Sequence, residues 1–419
     1  MTMKLRNRLI ALVCLILFLG LGAALFLTTS SRKPFAVILF VSDNITPSNL
    51  TATRLFSGGG EARLQLEALP NTALCRNAAN DFSIPDSASA STAIAAGKRI
   101  NRESLCIDPA GTKLPSLLEI AATKGRSTGL ITTGFLSEPT AAAYYAKSIN
   151  AEDRNDLAAQ FSRHTPFDIV IGGETETNSA GAPNGSKTSP FLPDTNSVSL
   201  ARSMSELENQ PFWQTTPLLG LLSAKQFSLP PSGEGDSNAP SLSDLVRVAI
   251  RHLQSNRHGY FLVVDDSSIG KAAKANDAET MFKRILDLDQ AVATAKRYAG
   301  ENALIVVAGR ETIGGLQLNG YPFLGDKGVA ILSLNAQGNS SLCWASGPGF
   351  SVEAQNNPKQ GKQPEPSSPG ILSQPSACPL PQGIGVAGDV LTLGIGQGSE
   401  KLKGFLDLTD VHRLINDEL

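Results

Sequence analysis

Phe35-Ala-Val-Ile-Leu-Phe-Val41, running straight into Ser42-Asp43-Asn44, is the stretch that decides the fold. A short, unbroken apolar run rich in β-branched residues is the mark of a strand buried on both faces of a parallel sheet. It stops on a polar turn that carries a carboxylate. In open α/β sheets, sites form outside the carboxyl ends of strands, so Asp43 is the first candidate. Working outward, strand-like runs recur at Ser127–Thr133, Phe167–Ile171, Tyr260–Val264 and Leu304–Val307. Helical stretches lie between and after them at Ala88–Lys98, Leu114–Lys124, Thr140–Ala146, Leu242–Gln254 and Ala278–Tyr298. Strands alternating with helices predict an α/β fold, a mainly parallel sheet with helices on both faces.

The chain is long enough, at 419 residues, to bury a large core. A net charge of −2 with 18% charged residues excludes a nucleic-acid binder of the basic-patch kind. Lys4, Arg6 and Arg8 precede an apolar run from Leu9 to Leu27, and Arg32 and Lys33 follow it. Basic then apolar is the pattern of a secretory signal or a membrane anchor. The run approaches the ~20 residues that span hydrocarbon and has no small-x-small cleavage site after it. A retained transmembrane anchor over 1–33 is therefore expected, with 34–419 exported to the periplasm or cell surface. In that oxidising setting the four cysteines beyond Cys14 allow two disulfides, with Cys75–Cys106 and Cys343–Cys378 the sequence-local pairing. Buried free thiols are the alternative. Residues 174–240 and 351–382, rich in Ser, Asn, Gly, Pro and Gln, read as loop-rich insertions.

Three further stretches carry candidate chemistry. Asp86-Ser87-Ala88 opens the Ala-rich helix, and a helix N-terminus favours negative charge, so Ser87 suits a nucleophile or an anion contact. The plainer reading is a helix cap. Asp265-Asp266 follows the strand 260–264, and paired carboxylates there suit a hard cation or a solvated turn. Gly309-Arg310-Glu311-Thr312 follows the strand 304–307.

These blocks resemble the alkaline phosphatases. Ala36-VILFVSDNITPSNLTATRLF is similar to the family's opening strand and aspartate turn, and Pro85-DSASASTAIAAGKRIN to its nucleophile motif. Ser127-TGLITTGFLSEPTAAAYYAK, Tyr260-FLVVDDSSIGKAAKANDA and Ala303-LIVVAGRETIGGLQLNGY follow in the family's order, and GFLDLTDVHRLI resembles its closing segment. The resemblance implies a three-layer sandwich with a central, mainly parallel sheet. It also implies phosphate monoester cleavage by a serine with two zinc ions and a magnesium. Carried over by motif, Ser87 is the nucleophile, and Asp43, Thr140 and Asp265 are magnesium-type positions. The zinc positions fall on Gly270, Lys274, Gly309, Arg310 and close to Gly385, none of which donates to zinc. Zinc is therefore not expected, and a lone magnesium is left open.

Lys274 and Arg310 are two cations where the family has zinc ligands. They either hold an anion beside Ser87 or neutralise Asp43 and Asp265 as a structural cluster. Arg154 lies a few residues beyond the position of the family's phosphate-gripping arginine. The resulting expectation is a homologue with degenerate metal sites, inactive or weak, that either binds a phosphorylated or other anionic small molecule or serves as an interaction partner. The alternative is a working phosphohydrolase using Ser87, one magnesium, and Lys274 and Arg310 in place of zinc charge. Family members are often dimers, so a homodimer stays open.

Overall fold

Every residue of the opening strand, β1 (Ala36–Ser42), is buried. Ala36, Ile38 and Phe40 enter one apolar core while Val37, Leu39 and Val41 enter a second on the opposite face. That two-sided burial follows from the period of two along a strand. In the computed structural model, residues 12–20, 35–163, 167–173, 198–211, 216–222, 240–320, 324–333, 340–349 and 374–419 are described.

The strands after β1 are β2 (Asn71–Arg76), β3 (Ser127–Phe135), β4 (Ile169–Gly173), β5 (Ser199–Ala201), β6 (Leu218–Leu222) and β7 (Tyr260–Asp266). Then come β8 (Leu304–Gly309), β9 (Gln317–Leu318), β10 (Leu342–Gly347), β11 (Ser376–Pro379), β12 (Val390–Ile395) and β13 (Lys403–Asp407). Ten of them form one sheet in the order β13-β2-β12-β8-β1-β7-β3-β4-β6-β5, and β11-β10-β9 form a small second sheet. In the large sheet β12 runs antiparallel to β2 and β8, and the other pairs are parallel. The helices Pro47–Gly58, Leu242–Leu253 and Ala278–Ala299 pack into the first core. Ser87–Ala96, Leu117–Thr123, Arg154–Arg163 and Leu408–Glu418 pack into the second. The result is the expected α/β three-layer sandwich.

Register places the site. Val41 pairs with Asp265, and Ser42 pairs with both Asp266 and Gly309. Thr132 pairs with Asp265 on the far side of β7. The carboxyl ends of β8, β1, β7 and β3 therefore lie side by side, and the residues just beyond them are neighbours.

Four expectations need correction. The stretch 174–240 contains β5, the helix Met204–Glu208 and β6, and all five residues of β6 are buried against β4. The Leu-rich segment 218–222 was hidden by the polar composition around it. Residues 174–197, 212–215 and 223–239 of that insertion, and 351–373 of the other, lie outside the described residues.

Near the N-terminus, residues 12–20 are helical, and the rest of the run Leu9–Leu27 lies outside the described residues. Among the described residues no helix is long and apolar enough to cross a membrane. The expected transmembrane anchor is overturned, and with it the ground for placing the chain at the periplasm or cell surface.

The cysteines are free thiols. Cys75 Sγ lies 3.1 Å from Thr392 Oγ1 across β2 and β12, whereas Cys106 Sγ donates to the Ala143 carbonyl oxygen at 3.1 Å. Cys378 stands opposite Ser346, three residues along β10 from Cys343. At ~3.3 Å per residue that offset exceeds the ~7 Å Cα separation a disulfide tolerates.

The helices Leu117–Thr123 and Pro139–Ala142 are shorter than their apolar patterns. In the first, Ser116 acts as an N-cap in a reciprocal capping box with Glu119, setting the start three residues later than expected.

Candidate functional site

Arg310 is the first residue past β8, and its side chain is fully buried. Its Nε donates to Asp43 Oδ1 at 2.8 Å and its Nη1 donates to Asp265 Oδ1 at 2.7 Å. The guanidinium thus lies between the carboxylates delivered by β1 and β7. Burial opposes its charge, but Asp43 and then Asp265 outweigh that, holding the guanidinium above its ordinary pKa. Arg310 Nη2 has no partner among the described residues.

Asp265 and Asp266 are adjacent in sequence but do different work, because successive strand residues point to opposite faces. Asp265 Oδ2 accepts hydrogen bonds from Thr132 Oγ1 at 2.7 Å and Thr140 Oγ1 at 2.9 Å. Asp266 Oδ1 accepts instead from Thr133 Oγ1 and Ser268 Oγ, and burial pushes its carboxyl group up. The pair is therefore not a two-carboxylate cation site. Asp43, Thr140, Asp265 and Arg310 do come together as one buried cluster, which also includes Thr132.

Ser87 opens its helix on a capping box, in which Asp86 accepts from the Ser89 N–H and Ser89 Oγ from the Asp86 N–H. The plain capping role therefore falls to Asp86, which leaves Ser87 for other contacts. Ser87 Oγ donates to Glu311 Oε1 across 2.5 Å. Glu311 is buried, and burial first, then the charge of Asp43, pushes its pKa up to about 7. The hydrogen bond from Ser87 and the charges of Arg310 and Lys274 work the other way. Ser87 and Glu311 open onto a cleft of about 640 Å³, whose lining includes Lys274 and Arg102 as cations and Phe82, Ile84, Ile313 and Ile384 as apolar surface.

Lys274 lines this cleft. Arg310 is sealed beneath it and satisfies the neutralising role instead. Arg154 does not line the cleft; its Nη2 lies 3.6 Å from Glu152 at the start of its own helix. Arg102, which sequence reading passed over, lines it instead. Gly385 also lines it, and a Cβ there would sit 3.9 Å from Glu311 Oε2. Gly270 faces Asp43, since a Cβ would meet Asp43 Oδ2 at 2.2 Å. Gly309 instead backs onto Val390, whose Cβ a side chain would strike at 2.7 Å. Of the described histidines, His412 Nδ1 lies 3.2 Å from the Ile94 carbonyl oxygen, and His252 is associated with Asp168. His164 lies outside the described residues.

The cluster is built, among the described residues, around a guanidinium rather than an open cation position. Among the described residues no three His, Cys, Asp or Glu side chains gather as ligands. Asp43 and Asp265 already face a guanidinium, and the remaining buried donor, Arg310 Nη2, suits an anion or a water rather than a cation.

The sequence model of the alkaline phosphatase family matches residues 35–171 and 193–419. Alkaline phosphatase 4 of Bacillus subtilis (strain 168) is 29% identical over 247 residues, covering 57% of this chain and 51% of that protein. The chain thus aligns with about half the length of that relative. Among solved structures, the Thermus thermophilus alkaline phosphatase superposes with a TM-score of 0.70 at 19% identity, covering 93% of this chain and 92% of that one. A TAB5 alkaline phosphatase variant with magnesium bound in its M3 site gives 0.67 at 20% identity, covering 92% of this chain and 98% of that one. At such identities the structural likeness establishes the fold.

Proposed function

The chain belongs to the alkaline phosphatase family, and from that premise we propose that it binds a phosphate-bearing small molecule without the family's metal-assisted turnover. The observation that carries this reading is the buried Arg310 guanidinium between Asp43 and Asp265. A guanidinium supplies positive charge and directed donors, but it cannot polarise a water or take an alkoxide as a ligand. Magnesium, as found in the TAB5 variant, would have to displace it here. The residues at the family's zinc positions offer no replacement ligands.

Anion recognition draws on different residues. Lys274 and Arg102 bring positive charge to the cleft. The first turn of the helix Ser87–Ala96 adds backbone N–H groups that have no intrahelical acceptor. Glu311 opposes an anion when ionised, but with its pKa raised to about 7 that charge is partly discharged near neutrality.

Metal analysis of the purified full chain, run beside hydrolysis of a generic phosphomonoester and calorimetry with inorganic phosphate, tests this. The expected result is substoichiometric zinc and magnesium, negligible turnover, and phosphate binding weakened by Lys274→Ala and Arg102→Ala. Stoichiometric metal with turnover abolished by EDTA would overturn the reading.

A further inference from the structure

We propose that Ser87 and Glu311 form a metal-independent nucleophile–base pair that hydrolyses carboxylic esters carrying an anionic group. This rests on the anion-binding reading of the same cleft and adds the reacting group. The pair has the arrangement an activated serine needs. Ser87 Oγ donates to Glu311 Oε1 at 2.5 Å, and the two residues are 224 positions apart in sequence, so only the fold brings the base to the hydroxyl. Ser87 is half-buried and Glu311 buried, and both line the cleft.

The choice of electrophile follows from charge. A phosphomonoester dianion brought to Ser87 would face the Glu311 carboxylate with no metal to neutralise either group, and like charges at such range repel strongly. An ester carbonyl is neutral and escapes that penalty. Its anionic group can then lie on Lys274 or Arg102, away from the reacting carbon. The cleft also offers an apolar wall for an acyl group. Phe82 and Ile384, both on its lining, are 56% and 50% exposed and so are uncovered hydrophobic surface.

The steps balance. The Ser87 hydroxyl proton passes to ionised Glu311 as Oγ bonds to the carbonyl carbon, and the oxyanion forms near the N–H groups of the first helical turn. The C–O ester bond then breaks, and the leaving alkoxide takes the proton from Glu311. Water attacks the acyl-Ser87 intermediate, its proton going to Glu311 and on to Ser87 as the carboxylic acid departs. The net reaction is ester plus water giving acid plus alcohol, and no oxidant or metal is consumed.

The full chain should hydrolyse 4-butyryloxybenzoate, whose carboxylate can lie on Lys274 or Arg102, faster than uncharged p-nitrophenyl butyrate, and equally well with and without EDTA. Ser87→Ala and Glu311→Gln should each lower turnover by ~100-fold or more. A fluorophosphonate probe should label the unmodified protein at Ser87, as mapped by peptide mass spectrometry, a readout that needs no variant to fold. Absence of labelling, or turnover unchanged in Ser87→Ala, overturns the proposal. An inert protein that still binds inorganic phosphate through Lys274 removes this inference and leaves anion binding standing. Ester turnover through Ser87 without phosphate binding does the reverse.

Discussion

Arg310 Nε donates to Asp43 Oδ1 at 2.8 Å with the guanidinium fully buried, so the residue just past β8 holds the carboxylate just past β1. The same guanidinium reaches Asp265, making a buried triad of one cation and two anions. Removing one member of a buried ion cluster strands the others in low dielectric. Arg310→Ala is therefore expected to destabilise the fold by ~3–5 kcal/mol. Denaturant melts of the purified variant check this, and a loss under ~1 kcal/mol would mean that the carboxylates are compensated by other groups.

Glu311 sets a pH dependence. Its pKa is about 7 in the folded chain against an ordinary 4.5, so the folded state holds the proton more tightly than the unfolded one. The stabilisation linked to that proton is complete below about 4.5 and is lost as pH rises through about 7. Between pH 5 and pH 8 the native protein should lose more stability than Glu311→Gln, which cannot ionise. Identical slopes in chemical denaturation would refute the assignment.

Gly270 is constrained by Asp43. An added Cβ would lie 2.2 Å from Asp43 Oδ2, and that carboxylate is held by Arg310 rather than free to swing away. Gly270→Ala should cost ~1–3 kcal/mol, the range for overpacking a tight interior. A thermal melt matching the parent would show that Asp43 relaxes without losing its partner.

Burial should set how fast each thiol reacts. Cys378 is exposed and should react with a thiol reagent in the native protein. Cys75 and Cys106 are buried, and burial raises each to about 11, so they should react only on unfolding. A reductant should leave the melting temperature unchanged. A fall in that temperature would show a disulfide.

Local pattern alone determined the strands that matter most. The apolar runs at 35–41, 260–264 and 304–307 became β1, β7 and β8, and their ends pointed to Asp43, Asp265 and Arg310 before any geometry was known. Such runs are legible because a strand buried on both faces must be apolar at every residue. The helix start at Asp86-Ser87 was legible for a similar reason, since capping is a contact within a few residues. The strand Leu218–Leu222 was not, because a short apolar run inside a polar stretch gains its meaning from the strand it pairs with.

Tertiary structure decided what the sequence had left as alternatives. Lys274 and Arg310 were indistinguishable as two cations, yet one lines the cleft and the other is sealed between carboxylates. Arg102 displaced Arg154 at the cleft, and Glu311 acquired a role through a hydroxyl 224 residues away. The physical reason is common to all of them. Residue identity says what charge a side chain carries. Burial and the partner within 3 Å determine what that charge does, and both depend on chain segments far apart in sequence.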